Sequence, residues 1–196
     1  MTSTLSFDPA RSAVLSMDYQ SGIVSAYAGD QEVLLARAAS VIERAHSLAM
    51  CVIHIQVGFR PGLPEISSRN PLFGAIKKSS EHQKLFTGTS GAIHPRVAPQ
   101  GDDIVVTKHR VSAFHGTDLE MILRAKEIDT LVVFGIATSG VVLSTVFQAA
   151  DADYRIVVIK DCCVDRDEDV HRCLIDKVFP RRASVVSASE FLAASS

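Results

Sequence analysis

The sequence predicts an α/β chain built as a three-layer, doubly wound, mostly parallel sheet of six strands, and three observations carry that expectation. Short apolar runs recur along the chain, separated by amphipathic or capped helical stretches. Most of these runs lack the apolar–polar alternation of a half-exposed strand, so they suit strands buried on both faces. Polar and ionisable residues gather just after the runs, where a doubly wound sheet keeps its ligand.

Taken in order, Ala13-Val-Leu-Ser-Met17 reads as the first strand. Gln31 to Met50 reads as a helix, with Leu34, Ala38, Val41, Ala45 and Leu48 along one face. Cys51 to Val57 is the second strand and Ile104-Val-Val106 a short third. Thr117 to Glu127 is expected to be helical, because Thr117-Asp-Leu-Glu120 has the capping-box spacing. Thr130 to Phe134 is the fourth strand, followed by a helical run ending near Ala150. Ile156 to Ile159 is the fifth strand. A helix from Asp167 to Val178, a short strand at Ser184-Val-Val186 and a fraying terminal helix complete the chain. One segment breaks the rhythm. Residues 58 to 103 are rich in Gly, Pro, Ser and Asn, with a short helix expected near Leu72 to Lys77. An excursion of that length makes a lid, a binding loop or a subunit contact.

The global numbers fit a single domain over residues 1–196. A hydrophobic content of 47% is that of a globular protein. A formal net charge of −2 gives no footing for nucleic acid or an anionic membrane surface. The start of the chain has no basic segment followed by an apolar core, and no apolar run approaches the ~20 residues of a membrane span. Cys51, Cys162, Cys163 and Cys173 match no zinc spacing and read as reduced thiols, so the expected location is cytoplasmic.

The strand ends supply the candidate site. Asp18 and Gln20 follow the first strand and Arg60 the second. Lys108, His109 and Arg110 follow the third, and Asp161 and Cys162 the fifth. Asp18 and Lys108 read as a buried pair in which the lysine holds the carboxylate ionised and the carboxylate moves a proton. They read equally as a turn cap and a solvated charge. Arg60, His109 and Arg110 are donors suited to an anionic or carbonyl-rich ligand if they face the pocket, and surface charges otherwise. After the fourth strand, Gly135-Ile-Ala-Thr-Ser-Gly-Val-Val-Leu-Ser-Thr145 reads as a glycine turn opening a helix, whose amides can hold an oxyanion. Acyl chemistry would want a nucleophile in the first helical turn. That turn carries Gly140, Val141 and Val142 instead.

Three anchors in this order resemble the isochorismatase-like hydrolases, also called the cysteine hydrolase superfamily. They are Asp18-Tyr-Gln20 after the first strand, Lys108-His-Arg-Val-Ser-Ala-Phe114, and Gly135-Ile-Ala-Thr-Ser-Gly-Val-Val142. The resemblance spans nearly the whole chain. It implies a Rossmann-like sheet of strand order 3-2-1-4-5-6 with Asp18, Lys108 and residue 141 converging at one cleft. It also implies a cis peptide between Ile136 and Ala137. The family's catalytic set is Asp, Lys and Cys, and Val141 falls where the cysteine stands. Isochorismatases usually carry glycine there and hydrolyse a vinyl ether without a covalent nucleophile. The resemblance places Gln20, Arg60, Phe114, Ile136, Ala137 and Gly140 around the substrate. Nicotinamidases in the family bind a metal through an Asp-x-His group after the second strand. This chain has Gln56-Val-Gly-Phe-Arg60 there, so no metal or other cofactor is expected.

Three readings follow. The first is a hydrolase of a small anionic metabolite that needs no thiol, with vinyl-ether hydrolysis the best-precedented chemistry. The second is an amide or ureido hydrolase using water or a displaced nucleophile, for which Ser139, Ser144 and Cys162 are the candidates. The third is a binding protein without turnover, favoured if Val141 and Phe114 plug the pocket. Phe59, Leu63, Ile66, Leu72, Phe73 and Ile76 are more apolar side chains than a free loop needs. They predict a homo-oligomer in which the excursion meets a second subunit, or else an excursion folded onto its own domain.

Overall fold

The structure, a computed structural model, describes residues 5–194. Six strands form one sheet: β1 (Ser12–Met17), β2 (Cys51–Val57), β3 (Ile104–Lys108), β4 (Thr130–Gly135), β5 (Arg155–Ile159) and β6 (Ser184–Val186). Their order is β3-β2-β1-β4-β5-β6 and every pairing is parallel. The order reverses between β1 and β4, so the crevice of this fold lies beyond Met17 and Gly135, which pair with each other. The two strands approach closely there. A β-carbon on Gly135 would lie 2.6 Å from the Met17 carbonyl oxygen, so only glycine fits.

Helices cover both faces. They are α1 (Ser21–Tyr27), α2 (Gln31–Ser47), α3 (Pro71–Lys78), α4 (Ser80–Lys84), α5 (Gly88–Gly91), α6 (Leu119–Ala125), α7 (Leu143–Asp151), α8 (Glu168–Cys173) and α9 (Ala188–Leu192). Asp30 caps α2 through the Val33 amide, and Leu34, Leu35, Ala38, Val41, Ile42 and Ala45 are its buried stripe. Val14, Leu15, Val132 and Val133 are fully buried at the sheet's centre. Among the described residues no helix is long and apolar enough to cross a membrane. The Ile136–Ala137 peptide is cis.

Some boundaries differ from those the sequence suggests. β3 runs on to Lys108, because Thr107 and Lys108 continue the pairing with Gln56 and Val57. The lysine is thus part of a strand rather than of the loop after it. The capping box at Thr117 does not form. The Thr117 hydroxyl instead donates to the Ala113 carbonyl (2.7 Å), Glu120 pairs with Arg124, and α6 begins after Asp118. The helices α1, α4 and α5 have no clear sequence period, being too short to show one. In the excursion, Ile66 and Phe73 bury within the chain's own fold, whereas Leu72 stays exposed.

His54, on β2, is almost wholly buried, and its Nε2 lies 3.0 Å from Asp103, whose other oxygen meets His46 at 2.8 Å. Its Nδ1 has no partner among the described residues. Burial holds the His54 pKa below its usual 6.5, against the pull of Asp103. The folded state therefore favours neutral His54. Its contribution to stability is complete above about pH 6.5 and is lost as the pH falls toward the lower folded value. Urea midpoints measured between pH 7 and 5 should fall for the native protein and fall less for His54→Gln.

Candidate active site

Asp18 directly follows β1 with φ of 59°, a left-handed conformation that Asp and Asn tolerate better than most residues. Its amide donates to the Ile55 carbonyl (2.8 Å), which pins the turn against β2. Lys108 ends β3, two strands away. Its side chain crosses the carboxyl end of the sheet and places Nζ 2.9 Å from Asp18 Oδ2. Lys108 Nζ also donates to the Arg110 carbonyl at 3.1 Å. Both residues are buried, Asp18 being 5% and Lys108 3% exposed. The sequence left this pair open between a functional ion pair and two surface groups, and the structure makes it a buried ion pair.

Burial raises the Asp18 pKa, and the Lys108 charge and hydrogen bond oppose it without cancelling it. The second oxygen, Oδ1, is buried and has no partner among the described residues. A carboxyl group with a raised pKa and one unoccupied acceptor is equipped to take or give a proton.

The turn after β4 borders Asp18 through the strand pairing, and the Ile136 amide donates to the Met17 carbonyl (3.2 Å). The turn is clamped from the β5–α8 side. Thr138 donates its amide to the Val164 carbonyl (2.9 Å), and its hydroxyl lies 2.8 Å from His171 Nδ1. The Ser139 amide donates to Asp165 (2.7 Å). The amides of Gly140 and Val142 both turn back onto the Ala137 carbonyl. Five of the turn's amides are therefore occupied, which narrows the oxyanion site expected from sequence to those that remain. Asp165 and His171 escaped sequence reading because they lie far along the chain and belong to no local motif. Val141 is 2% exposed and joins the apolar core.

Three residues expected around the substrate have partners within the protein. The Gln20 amide group is fully buried and engaged. It accepts from the Val57 amide (2.7 Å) and donates to the carbonyls of Val57 (3.0 Å) and Gly91 (2.6 Å), tying the excursion to β2. The Phe114 ring packs against Tyr154, the residue before β5, and so points toward the amino end of the sheet. Its motif serves to dock the segment after β3 on α7, where the Ala113 amide meets Thr145 Oγ1 (3.1 Å) and Ser112 meets Gln148 (2.7 Å). Arg60 is exposed and pairs with Glu65 (2.5 Å) rather than with Asp18. Arg110 likewise turns to the Glu65 carbonyl, and His109 to the Gly58 carbonyl. Ile136, Ala137 and Gly140 do lie in the turn beside Asp18, with Ile136 buried.

A concavity of about 730 Å³ lies elsewhere, among residues before or at the start of β1 to β4 such as Ala10, Cys51, Asp103 and Ile128. It holds none of the strand-end groups, so the site is assigned from its side-chain chemistry. Cys162 is the candidate for a displaced nucleophile. It is fully buried, and burial pushes its thiol far above the usual range. Burial likewise lifts Cys163, to about 12.

With this geometry in view, the match to known proteins is direct. The Isochorismatase domain model matches residues 12–190. The chain belongs to the isochorismatase family. It is 25% identical over 183 residues to the maleamate amidohydrolase of Pseudomonas putida, covering 91% of this chain and 84% of that one. An isochorismatase family protein from Burkholderia thailandensis superposes with a TM-score of 0.81 at 26% identity, covering 94% and 95% of the two chains. The N-carbamoylsarcosine amidase of Thermoplasma acidophilum superposes with a TM-score of 0.71 at 25% identity, over 91% and 96%. Hydrolases, amidohydrolases among them, are thus the company this chain keeps.

Proposed function

We propose that this protein is a hydrolase of a small anionic metabolite that works without a thiol nucleophile. Asp18 is the acid/base, Lys108 its partner, and Val141 stands where the superfamily has its cysteine. The observation that carries the reading is the buried Lys108–Asp18 pair at 2.9 Å with Asp18 Oδ1 left unpartnered among the described residues. Vinyl-ether hydrolysis suits this equipment. Protonated Asp18 gives its proton to the alkene carbon, water adds to the oxocarbenium carbon, and the hemiketal then expels the alcohol. Lys108 stabilises the carboxylate left behind. The turn's unoccupied amides and the Ala137 peptide are the groups available to the water or a substrate oxygen.

A second reading, amide hydrolysis by Asp18-activated water, is supported by the likeness to maleamate amidohydrolase. In either reading the buried Cys162 takes no part.

The test pairs the native chain with Val141→Cys, assayed on vinyl ethers, amides and ureido acids. The native protein is expected to hydrolyse a vinyl ether and to resist iodoacetamide. Val141→Cys is expected to gain amidase activity that iodoacetamide abolishes. Substrate-protected inactivation of the native chain, traced to Cys162, would overturn the thiol-independent reading. Ligand binding without turnover by either form would establish a binding protein instead.

A further inference from the structure

We infer that the cleft between the end of β2 and the excursion is a binding site for a small carboxylate with an aromatic or branched aliphatic body. The cleft has a volume of about 330 Å³, with Phe59, Leu63, Ile76 and Phe86 as its apolar lining and Arg60 among the residues around it. That volume lies at the small end of ligand pockets and suits a molecule of ring size. Phe59 packs against two aromatic neighbours. It meets Phe86 edge-on at 5.7 Å between centroids, and Phe73 at 5.9 Å. The cleft therefore offers preformed aromatic edges and faces to a ring or a branched chain.

The polar groups of the lining divide into two kinds. Gln83 and Thr87 are engaged within the protein. Gln83 donates to the carbonyls of Ile76 and Lys77, and Thr87 donates to those of Gln83 and Lys84. Arg60 is different. Its side chain is 68% exposed, and among the described residues the guanidinium makes one side-chain bond, from Nη1 to Glu65. A guanidinium has five N–H donors, so four remain for a ligand.

Charge around the cleft favours an anion. Lys77 Nζ reaches the carbonyls of Leu63 and Ile66, both at 3.4 Å, and Arg110 donates to the Glu65 carbonyl at 2.9 Å. Arg60 is the charged residue of the lining, Lys77 and Arg110 reach the backbone carbonyls of the Leu63–Ile66 segment beside it, and the Arg60 guanidinium is paired with the carboxylate of Glu65. That carboxylate is itself held by the Arg60 amide and guanidinium, and its side chain is only 10% exposed. An apolar body in the cleft with its carboxylate on Arg60 satisfies both features. A neutral ligand leaves the charge unused, and a cation meets repulsion.

This site goes beyond the hydrolase reading and does not require it. Phe59 follows Gly58, whose amide donates to the Lys108 carbonyl (3.1 Å), so the cleft opens at the same end of the sheet as Asp18. Its occupancy is read by binding alone. Isothermal titration at millimolar ligand is the experiment, with benzoate as the probe, benzamide and benzylamine as its neutral and cationic matches, and acetate as a carboxylate without a body. Benzoate is expected to bind best, and Arg60→Gln to weaken it about tenfold while leaving benzamide unchanged. Phe59→Ala should weaken benzoate and benzamide alike. Asp18→Asn should bind benzoate as the native chain does, which separates this cleft from the Asp18–Lys108 site. Equal binding of benzoate and benzamide, preference for benzylamine, no binding of any probe, or indifference to Arg60→Gln would each overturn the assignment. Arg60 is exposed, so its variant tests the idea even if Phe59→Ala fails to fold.

Discussion

Asp18→Asn is expected to reduce turnover by about 10²–10⁴-fold, the range that a positioned acid/base supplies, while the protein stays folded. Asparagine is the informative replacement for two reasons. It tolerates the left-handed conformation at φ 59°, and its amide oxygen can still accept from Lys108 Nζ. What it cannot do is carry the proton. The loss should therefore fall on kcat, with substrate affinity largely kept, and circular dichroism should be unchanged. The native protein's activity should also follow the ionisation of Asp18, whose pKa burial raises. A vinyl-ether hydrolase needs the protonated form, so its rate should rise as the pH falls through that value. A water-activating amidase needs the carboxylate, and its rate should rise in the opposite direction. The sign of the pH–rate slope thus decides between the two chemistries. Full turnover by Asp18→Asn would remove Asp18 from the mechanism altogether.

The second large effect is on stability. Lys108→Met should cost about 3–5 kcal/mol, because it leaves a buried carboxylate with no counter-charge. Asp18→Asn should cost less, since the lysine keeps an oxygen acceptor and the Arg110 carbonyl. The double variant should be less destabilised than the sum of the two, with a coupling of about 0.5–3 kcal/mol. Denaturant unfolding of the four proteins gives the numbers. Strict additivity would mean that the two side chains do not interact in solution. In the Lys108→Met protein the Asp18 pKa should rise further, since the group that opposes burial is gone.

The fold was legible because its signals are local and repeated. Apolar runs such as Leu131 to Phe134 are buried on both faces, and the α2 stripe from Leu34 to Ala45 has the helical period. The positions of Asp18 and Lys108 were legible too, since each ends or follows a strand that the pattern locates. Less visible were elements shorter than one period, such as α1 and α5. A turn residue with two partners to choose from was also misread, as at Thr117, whose hydroxyl prefers the Ala113 carbonyl to the helix end.

Sequence by itself determined the order of the six strands and the longer helices along the chain, the family anchors and the valine at position 141. These depend on residue type and spacing along the chain. Tertiary structure alone decided which polar groups are free. Gln20 stands two residues from Asp18 and was read as a substrate contact, yet its amide group is engaged by Val57 and Gly91. Arg60 follows β2 but turns to Glu65, and Phe114 turns away to Tyr154. Conversely, Asp165 and His171 reach across from the β5–α8 segment to fix the turn that bears Val141. The physical reason is that a side chain's role is set by the partners that burial brings within hydrogen-bond range. Those partners lie 26 to 71 residues away in the cases of Asp165, His171 and Gln20. No local pattern records them, and only the packed sheet brings them together.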